Sequence, residues 1–175
     1  LGILKNQVGT FYDPKMVIID PIYLNTLEDS EILSGYAEIF KHSIISDLKN
    51  FDKLTSNNED LDFKNIDIIK ASIEIKNRIV LLDPKEEKKR KALNFGHTLG
   101  HSIESFFLKS KNRLLHGEAI AIGIILASYI SHKLLGFSIK DVEKIKKHIL
   151  KIYKKTLFTN YNIQEIINLL VHDKK

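Results

Sequence analysis

Cysteine and tryptophan are absent from this 175-residue chain, methionine occurs once and proline three times. Without cysteine, no disulfide holds the fold and no thiolate binds a metal or attacks a substrate. Any metal site must therefore be built from His, Asp or Glu. The sparse Pro and Gly, set against 43% hydrophobic and 28% charged residues, exclude collagen-like and disordered chains and fit one ordinary globular domain over residues 1–175. Arginine is also scarce: Arg78, Arg90 and Arg113 stand among 27 basic residues. Reading of base edges leans on bidentate Arg, so the net charge of +5 and pI of 9.2 argue less for nucleic acid than for an anionic small substrate. Long apolar runs are lacking too. The most apolar stretch, residues 119–130, is interrupted by Gly123 and Ser128 and falls short of the roughly 20 residues a membrane helix needs. It reads as a buried core helix. The chain opens at Leu1 with no basic segment followed by an apolar run and a cleavage site, so the expectation is a cytoplasmic protein cut from something longer.

What is present is mostly helical periodicity. Residues 16–19 form a short apolar run closed by Asp20-Pro21, which predicts a strand and a turn. Beyond it, Ile32, Leu33, Tyr36, Ile39, Phe40 and Ile44 recur at helical spacing after a capping Asp29 or Ser30, placing Glu38 mid-helix. Further amphipathic stretches cover about residues 65–82, 94–109, 115–135, 139–153 and 163–170, broken by Asp83-Pro84, Lys111-Asn112, Gly136 and Asn160. The predicted fold is a mainly α helical bundle with a short N-terminal strand. The charge run Lys85-Glu86-Glu87-Lys88-Lys89-Arg90-Lys91 reads as a solvated loop or helix start.

Four segments carry the chemistry. In Asn94-Phe95-Gly96-His97-Thr98-Leu99-Gly100-His101 the two imidazoles project from one helical face, a spacing that suits a metal. Thr98 stands where a zincin would have its general base, so a protease reading fails. Leu115-His116-Gly117-Glu118 puts a third imidazole at the start of the most apolar helix. By spacing alone, metal ligation and ordinary core or capping histidines both remain open for His97, His101 and His116. Glu38 and Lys41 share a face and read either as a surface ion pair or as a functional pair, since a carboxylate in an apolar sequence needs a cation. Lys76, Arg90 and Lys174 are individually unremarkable cations.

Taken in order, Lys5-Asn6-Gln7-Val8-Gly9-Thr10-Phe11-Tyr12-Asp13-Pro14, Gly35-Tyr36-Ala37-Glu38-Ile39-Phe40-Lys41, the segment from Leu93 through His101 to Glu104, and Leu115-His116-Gly117-Glu118-Ala119 resemble the signature segments of the 3-dehydroquinate synthases. The resemblance implies the helical C-terminal domain of that fold, with residues 1–27 as a linker and strand segment bordering an NAD domain that has no counterpart here. It implies Glu38, His97 and His116 as ligands of zinc or cobalt, and His101, Lys41 and Lys76 as catalytic residues. Lys5, Asn6, Arg90, Asn94 and Lys174 would contact substrate, and Tyr23, Thr26 and Leu27 would line part of an NAD site. The implied activity is NAD- and metal-dependent conversion of 3-deoxy-D-arabino-heptulosonate 7-phosphate to 3-dehydroquinate and phosphate. That step belongs to the shikimate pathway of aromatic amino acid and chorismate biosynthesis, in an enzyme expected to be a homodimer. This chain alone is expected to be inactive. A related sugar phosphate cyclase or metal-dependent polyol dehydrogenase is the nearest alternative, and a basic helical nucleic-acid-binding module is the alternative from another class.

Overall fold

Helix α1 (Asp29–Ser46) begins where Asp29 and Glu31 set negative charge against the positive end of the helix dipole. The computed structural model, which describes residues 12, 14–46, 48–56, 61–108, 110 and 113–171, continues with α2 (Leu48–Ser56), α3 (Ile66–Leu82), α4 (His97–Phe107), α5 (His116–Leu135), α6 (Ile139–Ile152) and α7 (Asn160–Leu170). Short 3-10 turns cover Pro21–Asn25 and Lys89–Asn94. Local chemistry sets these boundaries. The Asn65 side chain accepts from the backbone N–H groups of Asp67 and Ile68 to start α3, and Asp83 ends it immediately before Pro84. Ser138 caps α6, while Thr159 and Asn162 satisfy each other's backbone N–H at the start of α7.

Helix α5 is the centre of the bundle, packed against α1, α4 and α6, with α7 closing over α4. The main core joins Tyr36, Phe40, Phe51, Leu54, Ile120, Ile124, Ile145, Ile149 and Tyr153, and a second cluster joins Ile103, Phe107, Ala119 and Ile166. Polar stitches run through the core. The Tyr153 hydroxyl donates to the Leu33 carbonyl at 2.7 Å, and the Tyr36 hydroxyl lies 3.0 Å from His148 Nε2.

Close backbone approach sets the spacing of α4 and α5. A Cβ on Gly123 would lie 2.1 Å from the Gly96 carbonyl oxygen, and one on Gly117 would lie 2.1 Å from the Ser34 carbonyl oxygen. Gly96 itself has φ of 79°, a left-handed conformation that favours glycine, directly before α4.

The structure departs from the sequence reading in three places. Residues 16–19 run exposed with no strand pairing, and no strand occurs among the described residues; a strand exists only through a bonded neighbour. Helix α2 is not legible in the sequence, because LKNFDKLTS is short and largely polar; among its described side chains Phe51, Leu54 and Thr55 are buried. Finally, the apolar stretch 119–130 is the middle of a 20-residue helix, long and apolar enough by length and composition to cross a membrane, although a third of that window is buried. Its inward face carries the core residues named above.

Two consequences are measurable. Gly123→Ala should cost about 1–3 kcal/mol through overpacking of α4 on α5, whereas Gly35→Ala, where a Cβ meets nothing within 4 Å, should stabilise α1 by about 0.5–1 kcal/mol. Denaturant melts of both variants test this, and equal effects would contradict it. Burial pushes the His148 imidazole down to about 4 from its ordinary 6.5, with the Lys151 charge acting the same way. The unfolded chain therefore takes up that proton at higher pH than the folded one. The contribution of His148 to stability is complete above pH 6.5 and lost as pH falls toward 4. His148→Phe, which keeps the stack on Phe40, should show a shallower fall of Tm between those limits.

Candidate metal centre

Glu38 sits mid-way along α1, one turn before Lys41 on the same face. Lys41 is 2% exposed, which removes the surface-pair reading, and its Nζ donates to Glu38 Oε2 at 2.6 Å. The other carboxylate oxygen faces the α4–α5 seam. Glu38 Oε1 lies 3.1 Å from His97 Nε2 and 3.9 Å from His116 Nε2. It is buried and forms no hydrogen bond of good geometry. Burial pushes the Glu38 carboxyl up, but the adjacent His97 ring and the Lys41 ammonium outweigh burial and hold it well below the usual carboxylate range. Glu38 is ionised.

Each imidazole is held from behind. His97 Nδ1 lies 3.4 Å from the Phe95 carbonyl oxygen, just before Gly96 turns the chain into α4. His116 Nδ1 lies 3.0 Å from Glu104 Oε2, two turns further along α4. Both partners are acceptors, so each Nδ1 would keep its hydrogen and leave the Nε2 lone pair to an ion bound between the rings. Two imidazole Nε2 atoms and one carboxylate oxygen thus converge on one point. One carboxylate with two imidazoles is an ordinary donor set for a divalent zinc-like ion with an open position. The residues present fit a metal.

His101, one turn after His97, completes the histidine cluster, with ring centroids 5.3 Å from His97 and 5.7 Å from His116. One ring nitrogen from each of His97, His101 and His116 falls within a 4.8 Å span. Geometry alone thus offers either Glu38 or His101 as the third ligand. The unsatisfied Glu38 Oε1 favours the carboxylate.

Of the other predicted site residues, Arg90 and Asn94 lie together on the 3-10 turn Lys89–Asn94, where the Asn94 amide donates to Glu86 Oε1 and Arg90 Nε lies 4.0 Å from Glu86 Oε2. The charge run is therefore structured. Asp83 accepts backbone N–H groups from Glu87, Lys88 and Arg90, and the Arg90 guanidinium donates to the Pro84 carbonyl. Lys76 is exposed on α3, with its charge felt at the buried His42 beside Lys41. Tyr23, Thr26 and Leu27 are exposed along and just after the first 3-10 turn, where Thr26 Oγ1 donates to the Tyr23 carbonyl. Lys5, Asn6 and Lys174 lie outside the described residues. Glu104 and Glu86, which organise these groups, received no role from the sequence reading. A buried acid two turns after His97 on one face was the available signal for Glu104.

Residues 35–175 match the family described as 3-dehydroquinate synthase C-terminal. A 3-dehydroquinate synthase of Parabacteroides distasonis is 42% identical over 98% of the chain and 49% of its own length, and one of Thermoanaerobacter pseudethanolicus is 44% identical with the same coverage. The chain thus spans about half the length of these relatives. In fold it resembles ValA, a 2-epi-5-epi-valiolone synthase of Streptomyces hygroscopicus solved with NAD+ and Zn2+ bound. The TM-score is 0.76 at 22% identity, over 97% of this chain and 49% of that one. The helices, the colinear motifs and the matched family together place this chain in the 3-dehydroquinate synthase family, as its C-terminal helical domain.

Proposed function

We propose that this chain is the metal- and substrate-binding part of an enzyme that converts 3-deoxy-D-arabino-heptulosonate 7-phosphate to 3-dehydroquinate and phosphate. The observation that carries the reading is the convergence of Glu38 Oε1 with the Nε2 atoms of His97 and His116, in a chain of this family. Glu38, His97 and His116 would hold Zn2+ or Co2+. Bound there, the metal would supply Lewis-acid polarisation of a substrate hydroxyl, and NAD would supply the hydride acceptor and donor.

The chain's own residues do the rest. Lys41 occupies Glu38 Oε2 and leaves Oε1 for a cation, and its ammonium would act on the substrate held there. His101 lies against both ligand imidazoles and would hold the phosphate, so that the substrate's own oxygens take part in proton removal. Arg90 and Asn94, together with Lys76, Lys5, Asn6 and Lys174, complement a substrate bearing a carboxylate and a phosphate. Tyr23, Thr26 and Leu27 would form part of the wall of an NAD site whose remainder lies in the half of the relatives that this chain does not match. The setting proposed is the cytoplasm, the assembly a homodimer, and the pathway that of chorismate. The fold shared with ValA makes another sugar phosphate cyclase the second reading, but identities of 42–44% to 3-dehydroquinate synthases favour the first.

Phosphate release tests the proposal. Joined to the nucleotide-binding half of a relative and given NAD and Zn2+, the chain should release phosphate from the heptulosonate phosphate and form 3-dehydroquinate. Chelator should stop the reaction, zinc or cobalt should restore it, and His97→Ala should abolish it at every zinc concentration. The chain by itself should release none. Turnover that ignores the chelator, or turnover of a heptulose phosphate lacking the carboxylate in place of the heptulosonate phosphate, would contradict the reading.

A further inference from the structure

The ligand assignment leaves open what makes His116 present Nε2 rather than Nδ1 to the site. His116 is the first residue of α5, and its side chain is 39% exposed, so helix packing alone does not fix its ring. On α4, Glu104 is 5% exposed, a burial that carboxylates avoid unless bound by a donor or a cation. Its Oε2 lies 3.0 Å from His116 Nδ1. The two helices that carry this pair meet almost backbone to backbone at Gly100 and Gly123.

We infer that Glu104 is a positioning residue for the metal centre: its buried carboxylate fixes the ring orientation and tautomer of His116, so that the Nε2 lone pair faces Glu38 Oε1. This inference deepens the proposed function and rests on His116 being a ligand. The physical reason is directional. An ionised carboxylate has only acceptor oxygens, so the hydrogen of a neutral His116 ring must sit on Nδ1, and the lone pair is then left at Nε2, 3.9 Å from Glu38 Oε1. The bond also places a second negative charge one imidazole away from the cation, which raises the basicity of the ligand nitrogen. His97 has the uncharged version of the same device, the Phe95 carbonyl at 3.4 Å. The two ligands are thus held unequally, and His116 depends on a side chain that a single substitution removes.

Two measurements on this chain test the inference, one without metal and one with it. In metal-free protein at pH 8, nitrogen-15 NMR of the His116 ring should show hydrogen on Nδ1 in the native sequence and a mixture of tautomers in Glu104→Ala. Zinc affinity, measured by competition with a chromophoric chelator, should fall about 10–100-fold in Glu104→Ala. Glu104→Gln, which retains an acceptor oxygen but no charge, should lie between. Circular dichroism establishes that each variant is folded, and Glu104→Gln serves if Glu104→Ala is not. An unchanged His116 tautomer in a folded Glu104→Ala would overturn the inference, as would unchanged zinc affinity when the native chain binds zinc. If the native chain binds no zinc while its tautomer depends on Glu104, the proposed metal centre fails, and what stands is only that Glu104 sets the His116 ring. The cobalt-substituted native chain and variants give a further readout, since a purely structural Glu104 would lower Tm while leaving the cobalt absorption spectrum unaltered.

Discussion

The near-contact of α4 with α5 is the constraint on which the site depends. Three of the four groups at the centre come from these helices: His97 and His101 from α4 and His116 from α5. Their spacing is set where Gly96 and Gly123 meet, a place that has no room for a methyl group. Gly117 does the same between α5 and α1, where Ser34 Oγ accepts its backbone N–H at 2.9 Å, and so brings Glu38 to within ligand distance of both imidazoles. Small residues thus buy the precision of the centre. The large apolar side chains on either side, Tyr36, Phe40, Ile120 and Ile124, keep the three helices from sliding.

Electrostatics then divides the labour within one carboxylate. Lys41 is buried, a costly position for an ammonium, and its Nζ donates to Glu38 Oε2 at 2.6 Å. The His97 ring and that pairing together keep Glu38 ionised, and the pairing leaves Oε1 on the side of the histidines. The acceptors behind His97 and His116 hold those rings with Nε2 turned the same way. Glu38, Glu104 and the Phe95 carbonyl thus surround the two imidazoles in an arrangement that suits a cation.

Much of this was legible in the sequence, and the reasons for the rest are physical. Long amphipathic helices announce themselves by period, so α1, α3, α5 and α6 were expected within a few residues of their observed bounds. The short polar α2 exists because Phe51 and Leu54 find the core, a tertiary cause that local pattern does not carry. Residues 16–19 have strand-like composition, but pairing decides strands. The imidazole pair on α4 was visible by spacing, yet spacing could not choose between His101 and Glu38 as the third ligand. The family resemblance pointed to Glu38, and the buried, unbonded Oε1 is an independent physical argument for the same choice. For Glu38 and Lys41 the sequence left a surface ion pair and a functional pair both open, and the burial of Lys41 removes the first. The order within the charge run, organised by Asp83 and by Glu86 in a left-handed backbone conformation, had no sequence signal beyond Pro84.

X-ray absorption at the zinc edge of the metal-loaded chain, native and His101→Ala, tests the central claim most directly. The account predicts two imidazole ligands plus short oxygen scattering at about 2.0–2.2 Å, unchanged by loss of His101 and rearranged by Glu38→Gln. Three imidazole ligands in the native chain, one of them lost in His101→Ala, would show that the histidine trio binds the ion and that the Glu38 assignment is wrong.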